Sequence, residues 1–98
     1  MAPRQKKNKK LLVQAADDRC FWVWNGPVLH NLCELRDFIG HKKLSKDQFA
    51  HHVAHEKNDL ADWVDHVLSD QKCAAGLRKV KTERGTLGVL EKTLRDYE

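Results

Sequence analysis

The sequence predicts a mainly α fold, a small α+β domain in which a compact bundle of about four to five short helices carries one N-terminal β-hairpin behind a disordered basic arm. Three observations predict it. Apolar residues recur at helical spacing in successive short segments, most regularly at Leu60, Trp63, Val64, Val67 and Leu68. Cys20-Phe21-Trp22-Val23-Trp24 is dense in aromatic and branched side chains and runs straight into Asn25-Gly26, a hairpin turn signal. Arg4, Lys6, Lys7, Lys9 and Lys10 crowd positive charge into residues 1–10, which hold too little apolar surface to offset the entropy of ordering.

The elements follow in order. Residues 1–18 are expected as arm and linker, with 11–16 open to either a loose helical turn or a connection, and residues 19–98 as one helical domain with an N-terminal hairpin. Pro27 cannot donate to a ladder, so the second strand, at Val28-Leu29, must be short or lie at an edge. A two-stranded hairpin is marginal alone and must pack on helices. Asn31 with Glu34 reads as a reciprocal cap for a first helix whose Leu32, Leu35, Phe38 and Ile39 form a stripe, with Gly40 as its left-handed stop. Ser45 with Gln48 starts a second helix, about residues 46–55, buried through Phe49 and Val53. Asn58 or Asp59 caps the third. Ser69 or Asp70 caps a fourth built on Cys73, Ala74, Leu77 and Val80, and Gly85 separates it from a fifth built on Leu87, Leu90, Leu94 and Tyr97.

Composition narrows the function classes. A chain of 98 residues, 41% hydrophobic and 33% charged, has room for one modest core and no second substrate domain. No apolar run approaches the roughly 20 residues of a membrane helix, and the basic start leads into no signal-peptide core, so a soluble cytoplasmic protein without membrane attachment is expected. Cys20, Cys33 and Cys73 are odd in number and widely spaced; they read as small buried hydrophobes in a reducing compartment. No cofactor or catalytic residue is expected, because no nucleophile, phosphate loop or Ser/His/Asp arrangement is present.

Charge marks one candidate surface. Lys+Arg total 18 against 14 Asp+Glu; without the five cations of residues 1–10 the balance is 13 against 14, so the body is close to neutral. The arm is either a solubilising tail or a non-sequence-specific hold on DNA or RNA phosphates, with an anionic membrane surface last because no apolar amphipathic face accompanies it. Arg78, Lys79, Lys81 and Arg84 form a second basic run, explained by a helix C-terminus or by extension of a phosphate-binding patch. Trp22 and Trp24 share a strand face opposite Phe21 and Val23. They either cap the edge of a small core, the reading favoured by the need for large buried side chains, or stand exposed as anchors for a protein partner or for base stacking. His51 and His55 lie four apart and could pair on a metal, but His52 stands where a metalloprotease carries Glu, and no metal site is expected. Asp59, Asp62, Asp65 and Asp70 read as a solvated helix face rather than an acid–base pair.

Phe21-x-Val23-x-Asn25-Gly26-Pro27-Val28-Leu29, then Asn31-Leu32-x-Glu34-Leu35, Phe49-x-x-His52-Val53, Lys57-Asn58-Asp59-x-x-x-Trp63-Val64 and Val67-Leu68-x-Asp70 form a series. It resembles a small prokaryotic, mainly archaeal, domain family of unknown function over about residues 20–80. The segment Asn58-Asp59-Leu60-Ala61-x-Trp63, joined to His52, is its most specific part. The chain departs from the family pattern at Ser69, where Gly is frequent, and at Lys72-Cys73-Ala74, where Glu-Leu-Ala is frequent. The resemblance implies a compact non-enzymatic module in which His52, Asn58, Asp59 and Trp63 are a structural motif. The expected function is a non-catalytic interaction module binding a macromolecular partner, with nucleic-acid association through the arm as the alternative.

Overall fold

The computed structural model describes residues 11–54 and 56–97; Arg4, Lys6, Lys7, Lys9, Lys10 and His55 lie outside the described residues. A 3-10 turn at Asp17–Arg19 precedes β1 (Phe21–Trp22) and β2 (Val28–Leu29). Then come α1 (Leu32–Gly40), α2 (Lys46–His52), β3 (Val53–Ala54), β4 (Lys57–Asn58), α3 (Asp59–His66), α4 (Gln71–Arg78) and α5 (Glu83–Leu94). The predicted helical domain with an N-terminal antiparallel hairpin is what forms, with Phe21 opposite Leu29 and Trp22 opposite Val28.

Helices this short are marginal on their own, so their ends carry weight. Each is capped by a side chain. Asn31 accepts the Glu34 N–H, Ser45 that of Gln48, Asn58 that of Ala61, Asp70 that of Cys73 and Thr82 that of Gly85. The buried faces then meet: α3 lies on α4, and α5 covers α1 and α4. Leu32, Leu35, Val64, Leu77 and Leu90 are fully enclosed, with Trp63 and Phe49 in the same core.

Several boundaries differ from the sequence expectation, each for a local reason. Residues 11–18, expected as linker, are joined to the domain: Ala15 is buried, its N–H donates to His30 O at 2.8 Å, and Asn31 Nδ2 donates to Gln14 Oε1 at 3.0 Å. Glu34 reaches back one residue further than a capping box requires, accepting from His30 N–H at 2.8 Å. The left-handed stop of α1 is Lys42, at φ 59°, rather than Gly40. At the hairpin, Asn25 takes the positive φ (56°), while a Cβ on Gly26 would sit 2.9 Å from Gln48 Nε2 and from Val23 Cγ1. Gly26 is therefore required by close approach. The second helix ends at His52 rather than near 55, because Val53 and Ala54 turn extended and pair with Asn58 and Lys57 in a second short ladder. Asp70, not Ser69, caps α4; Ser69 is left-handed at φ 59°. Gly85 belongs to the first turn of α5 rather than to the break before it, since the Thr82 cap needs its N–H.

Two side chains of α5 and its exit have measurable consequences. Tyr97 is buried and donates to Asp70 Oδ2, while Asp70 Oδ1 caps α4, so one carboxylate ties the chain end to a helix start. Burial first, and the Asp70 carboxylate second, raise the Tyr97 phenol above its ordinary pKa of about 10. A phenol that is harder to ionise when folded contributes stability that is complete below about pH 10 and is lost as pH rises further. Denaturant unfolding of the parent is expected to weaken above pH 10 more steeply than that of Tyr97→Phe; parallel pH curves would refute the linkage. Thr86 is 1% exposed, and among the described residues its hydroxyl is the buried side-chain polar atom without a partner. Thr86→Val removes that desolvated group and is expected to stabilise by about 1 kcal/mol, a rise of roughly 4–8 °C in Tm.

Candidate functional site

Exposure alternates through β1 and into the turn that follows it: Phe21 and Val23 enter the core, while Trp22 and Trp24 remain 71% and 43% exposed. The tryptophans therefore do not cap the core edge. Trp63 does, tilted against Phe21 at 5.6 Å between ring centroids and donating its Nε1–H to Arg19 O at 2.8 Å. With Phe21, Val23 and Leu29 filling the inner face of the hairpin, the large rings are left for the outer one.

The Trp24 end of the hairpin is held from behind by α2. Its residues Gln48, His51 and His52 share a face through i, i+3 and i+4 spacing. Gln48 Nε2 donates to the carbonyls of Trp24 (3.1 Å) and Asn25 (3.2 Å), while its Oε1 accepts the Ser45 N–H at 2.9 Å. His51 stacks on Trp24 with centroids 4.7 Å apart and ring planes 8° from parallel. His52, buried, accepts the Trp24 N–H at its Nε2 (2.9 Å) and meets Asp59 Oδ2 through Nδ1, also at 2.9 Å. A backbone N–H only donates, so Nε2 carries no proton, and Nδ1 carries the one shared with Asp59. The edge of Phe21 closes the pocket around His52 at 4.8 Å.

The carboxylate–imidazole pair has the spacing of an acid–base dyad, but the nitrogen a catalyst would use is occupied by the hairpin backbone. Its use here is positional. Asn58 likewise spends both ends, capping α3 and donating to Leu77 O at 3.1 Å, so the motif His52, Asn58, Asp59 and Trp63 joins hairpin, α2, α3 and α4.

The second basic run is divided. Arg78 contacts Asp62 Oδ1 at 2.9 Å and Asp65 Oδ2 at 3.5 Å, and these carboxylates raise its pKa further. Asp62 and Asp65 are thus engaged rather than merely solvated. Lys79, Lys81 and Arg84 are exposed around the α4–α5 connection. A cleft of about 300 Å³ there is lined by Glu56, Lys57, Asn58, Asp62, Arg78 and Lys81, a mixture of signs rather than a continuous basic surface. His55 and the arm lie outside the described residues. Among the described residues no group of His, Cys, Asp and Glu side chains gathers to hold a metal ion, and no helix is long and apolar enough to cross a membrane. Cys20, Cys33 and Cys73 form no disulfide; burial and the nearby Asp17, Glu34 and Asp18 raise the pKa of Cys20.

Gln48 and His51 escaped the sequence reading as members of this site, being taken as a cap partner and a surface side chain. Their shared helix face with His52 was the available signal. No protein-family model, curated protein or solved structure matches the chain.

His52→Ala strands the Trp24 N–H beside an empty ring site and is expected to cost about 1–3 kcal/mol, a fall in Tm of at least roughly 4 °C by circular dichroism. An unchanged Tm would show that the hairpin is anchored by other contacts.

Proposed function

We propose that this chain is a non-catalytic interaction module that docks a macromolecular partner on the surface formed by Trp22, Trp24 and His51, with the cations of residues 1–10 adding electrostatic attraction. One observation carries the reading. Two indoles that could bury 150–250 Å² each are turned outward, on a hairpin whose backbone is bonded to α2 at three points.

Prior anchoring lowers the ordering entropy of docking, and central aromatic anchors dominate the binding energy of most interfaces. Neither the Trp22 nor the Trp24 indole N–H has an acceptor among the described residues, so each offers a donor as well as a ring. The resemblance to a prokaryotic domain family without catalytic residues agrees with a binding role.

The test is capture of partners from a native lysate by the full chain, compared with Trp22→Ala and Trp24→Ala. Each substitution is expected to lower retention of a specific partner at least tenfold. Trp22→Ala, at a 71% exposed site, should leave Tm within about 2 °C of the parent. Equal retention by all three proteins would remove the surface from the function.

A further inference from the structure

We propose that proton binding at His52 releases the Trp24 end of the docking surface, so that the surface is complete while the imidazole is neutral and is withdrawn when it is charged. This rests on the docking reading above and supplies its regulation.

The bond itself makes the two states exclusive. His52 Nε2 accepts the Trp24 N–H at 2.9 Å, and that nitrogen can hold this bond or a proton of its own, not both. Once protonated it faces the Trp24 N–H donor to donor, and one of the two must leave. Imidazole is the side chain that ordinarily gains its charge between about pH 8 and 5, which sets the range to search.

The surroundings decide which contact is given up. On the other side of the ring Nδ1 meets Asp59 Oδ2 at 2.9 Å, and a charge on the ring strengthens this hydrogen bond. α3 therefore keeps the imidazolium and the hairpin loses it. The new Nε2–H is also left in a pocket closed by the edge of Phe21, 4.8 Å away between ring centroids, where an unpaired donor is costly until the hairpin opens to water. A two-residue ladder gives little resistance to that movement. The hairpin tip stays tethered, because Gln48 Nε2 holds the Trp24 and Asn25 carbonyls through a group that does not ionise. The change is thus a local shift of Trp24 rather than unfolding.

Of the other charged and titratable groups that face His52, α2 supplies His51, edge-on at 5.0 Å, and α3 supplies Asp59. β4 supplies Lys57, whose Nζ lies 3.5 Å from the same Asp59 oxygen. The hairpin supplies Phe21 and Trp24, which carry no titrating group. Charge on His51 acts in the opposite sense from charge on His52, since a cation stacked 4.7 Å over the Trp24 indole strengthens that contact. The two histidines are therefore separable by substitution.

The experiment follows the full chain, labelled with nitrogen-15 and 5-fluorotryptophan, by NMR from about pH 8 to about pH 4.5. The Trp24 amide and indole fluorine are expected to move with the midpoint at which His52 Nε2 gains its proton, while helical circular dichroism stays constant. His52→Gln, whose carboxamide oxygen can accept the Trp24 N–H without ionising, should hold both Trp24 signals fixed across the range. His51→Phe, which keeps a ring on the indole without charge, should retain the transition. A partner captured at neutral pH through Trp24 should be shed by the parent near pH 5 and retained at least about fivefold better by His52→Gln. A His52 that stays neutral throughout, Trp24 signals that stay fixed as it protonates, or signals that move in His52→Gln would each overturn the inference. So would loss of the transition in His51→Phe, loss of helicity at the same midpoint, or equal retention by parent and His52→Gln near pH 5. All of these leave tryptophan-dependent capture at neutral pH, and with it the docking reading, intact. Equal capture by Trp22→Ala, Trp24→Ala and the parent overturns both, since no surface is then left to regulate.

Discussion

The neutral imidazole of His52 is where the structure converges. It stands at the end of α2, takes the backbone N–H of the hairpin on one nitrogen and presents the other to the first residue of α3. A two-residue ladder such as β1–β2 has too few bonds to hold its own orientation, and α2, at seven residues, is short of independent stability. Both become ordered by sharing a buried polar link whose donor and acceptor counts balance. Asp59 selects the tautomer, the tautomer frees Nε2, and Nε2 fixes Trp24.

That arrangement separates two demands that compete in small domains. A core of this size needs its aromatics inside, yet the proposed docking surface needs some outside. The chain assigns them by alternation through β1 and its turn: Phe21 and Val23 go in, Trp22 and Trp24 go out, and Trp63 arrives from α3 to close the gap that the outward pair leaves. Polar side chains do much of the joining. Asn58 links α3 to α4, Asp70 links α4 to the residue Tyr97, and Asn31 links α1 to residue Gln14. Each also caps a helix, so losing one weakens a local element and a long-range contact together.

The legibility of the sequence varies with the range of the interaction. Helices and most of their caps were readable because periodicity and capping are local: Leu60, Trp63 and Val64 fall on one face wherever they are placed. The helix ends were less so. Lys42 and Ser69 adopt left-handed conformations that their side chains disfavour, and Gly40, the natural candidate, does not; the choice is set by how the following segment must turn toward the core. The β3–β4 pair was invisible because Val53 continues the apolar line of α2 and only its partner Asn58 makes it a strand. Exposure of the Trp pair was undecidable from parity alone, since parity says which residues share a side and not which side is inside. The role of Arg78 depended on Asp62 and Asp65, 16 and 13 positions away, beyond any local pattern.

Gln48 holds a further implication. Its carbonyl oxygen closes the first turn of α2 while its amide nitrogen straps the hairpin tip, so one planar group is asked to be acceptor and donor in opposite directions. Glutamate satisfies the helix and fails the hairpin; lysine does the reverse. The amide of glutamine is thus the one group at this position that closes the start of α2 and fastens the hairpin tip at once.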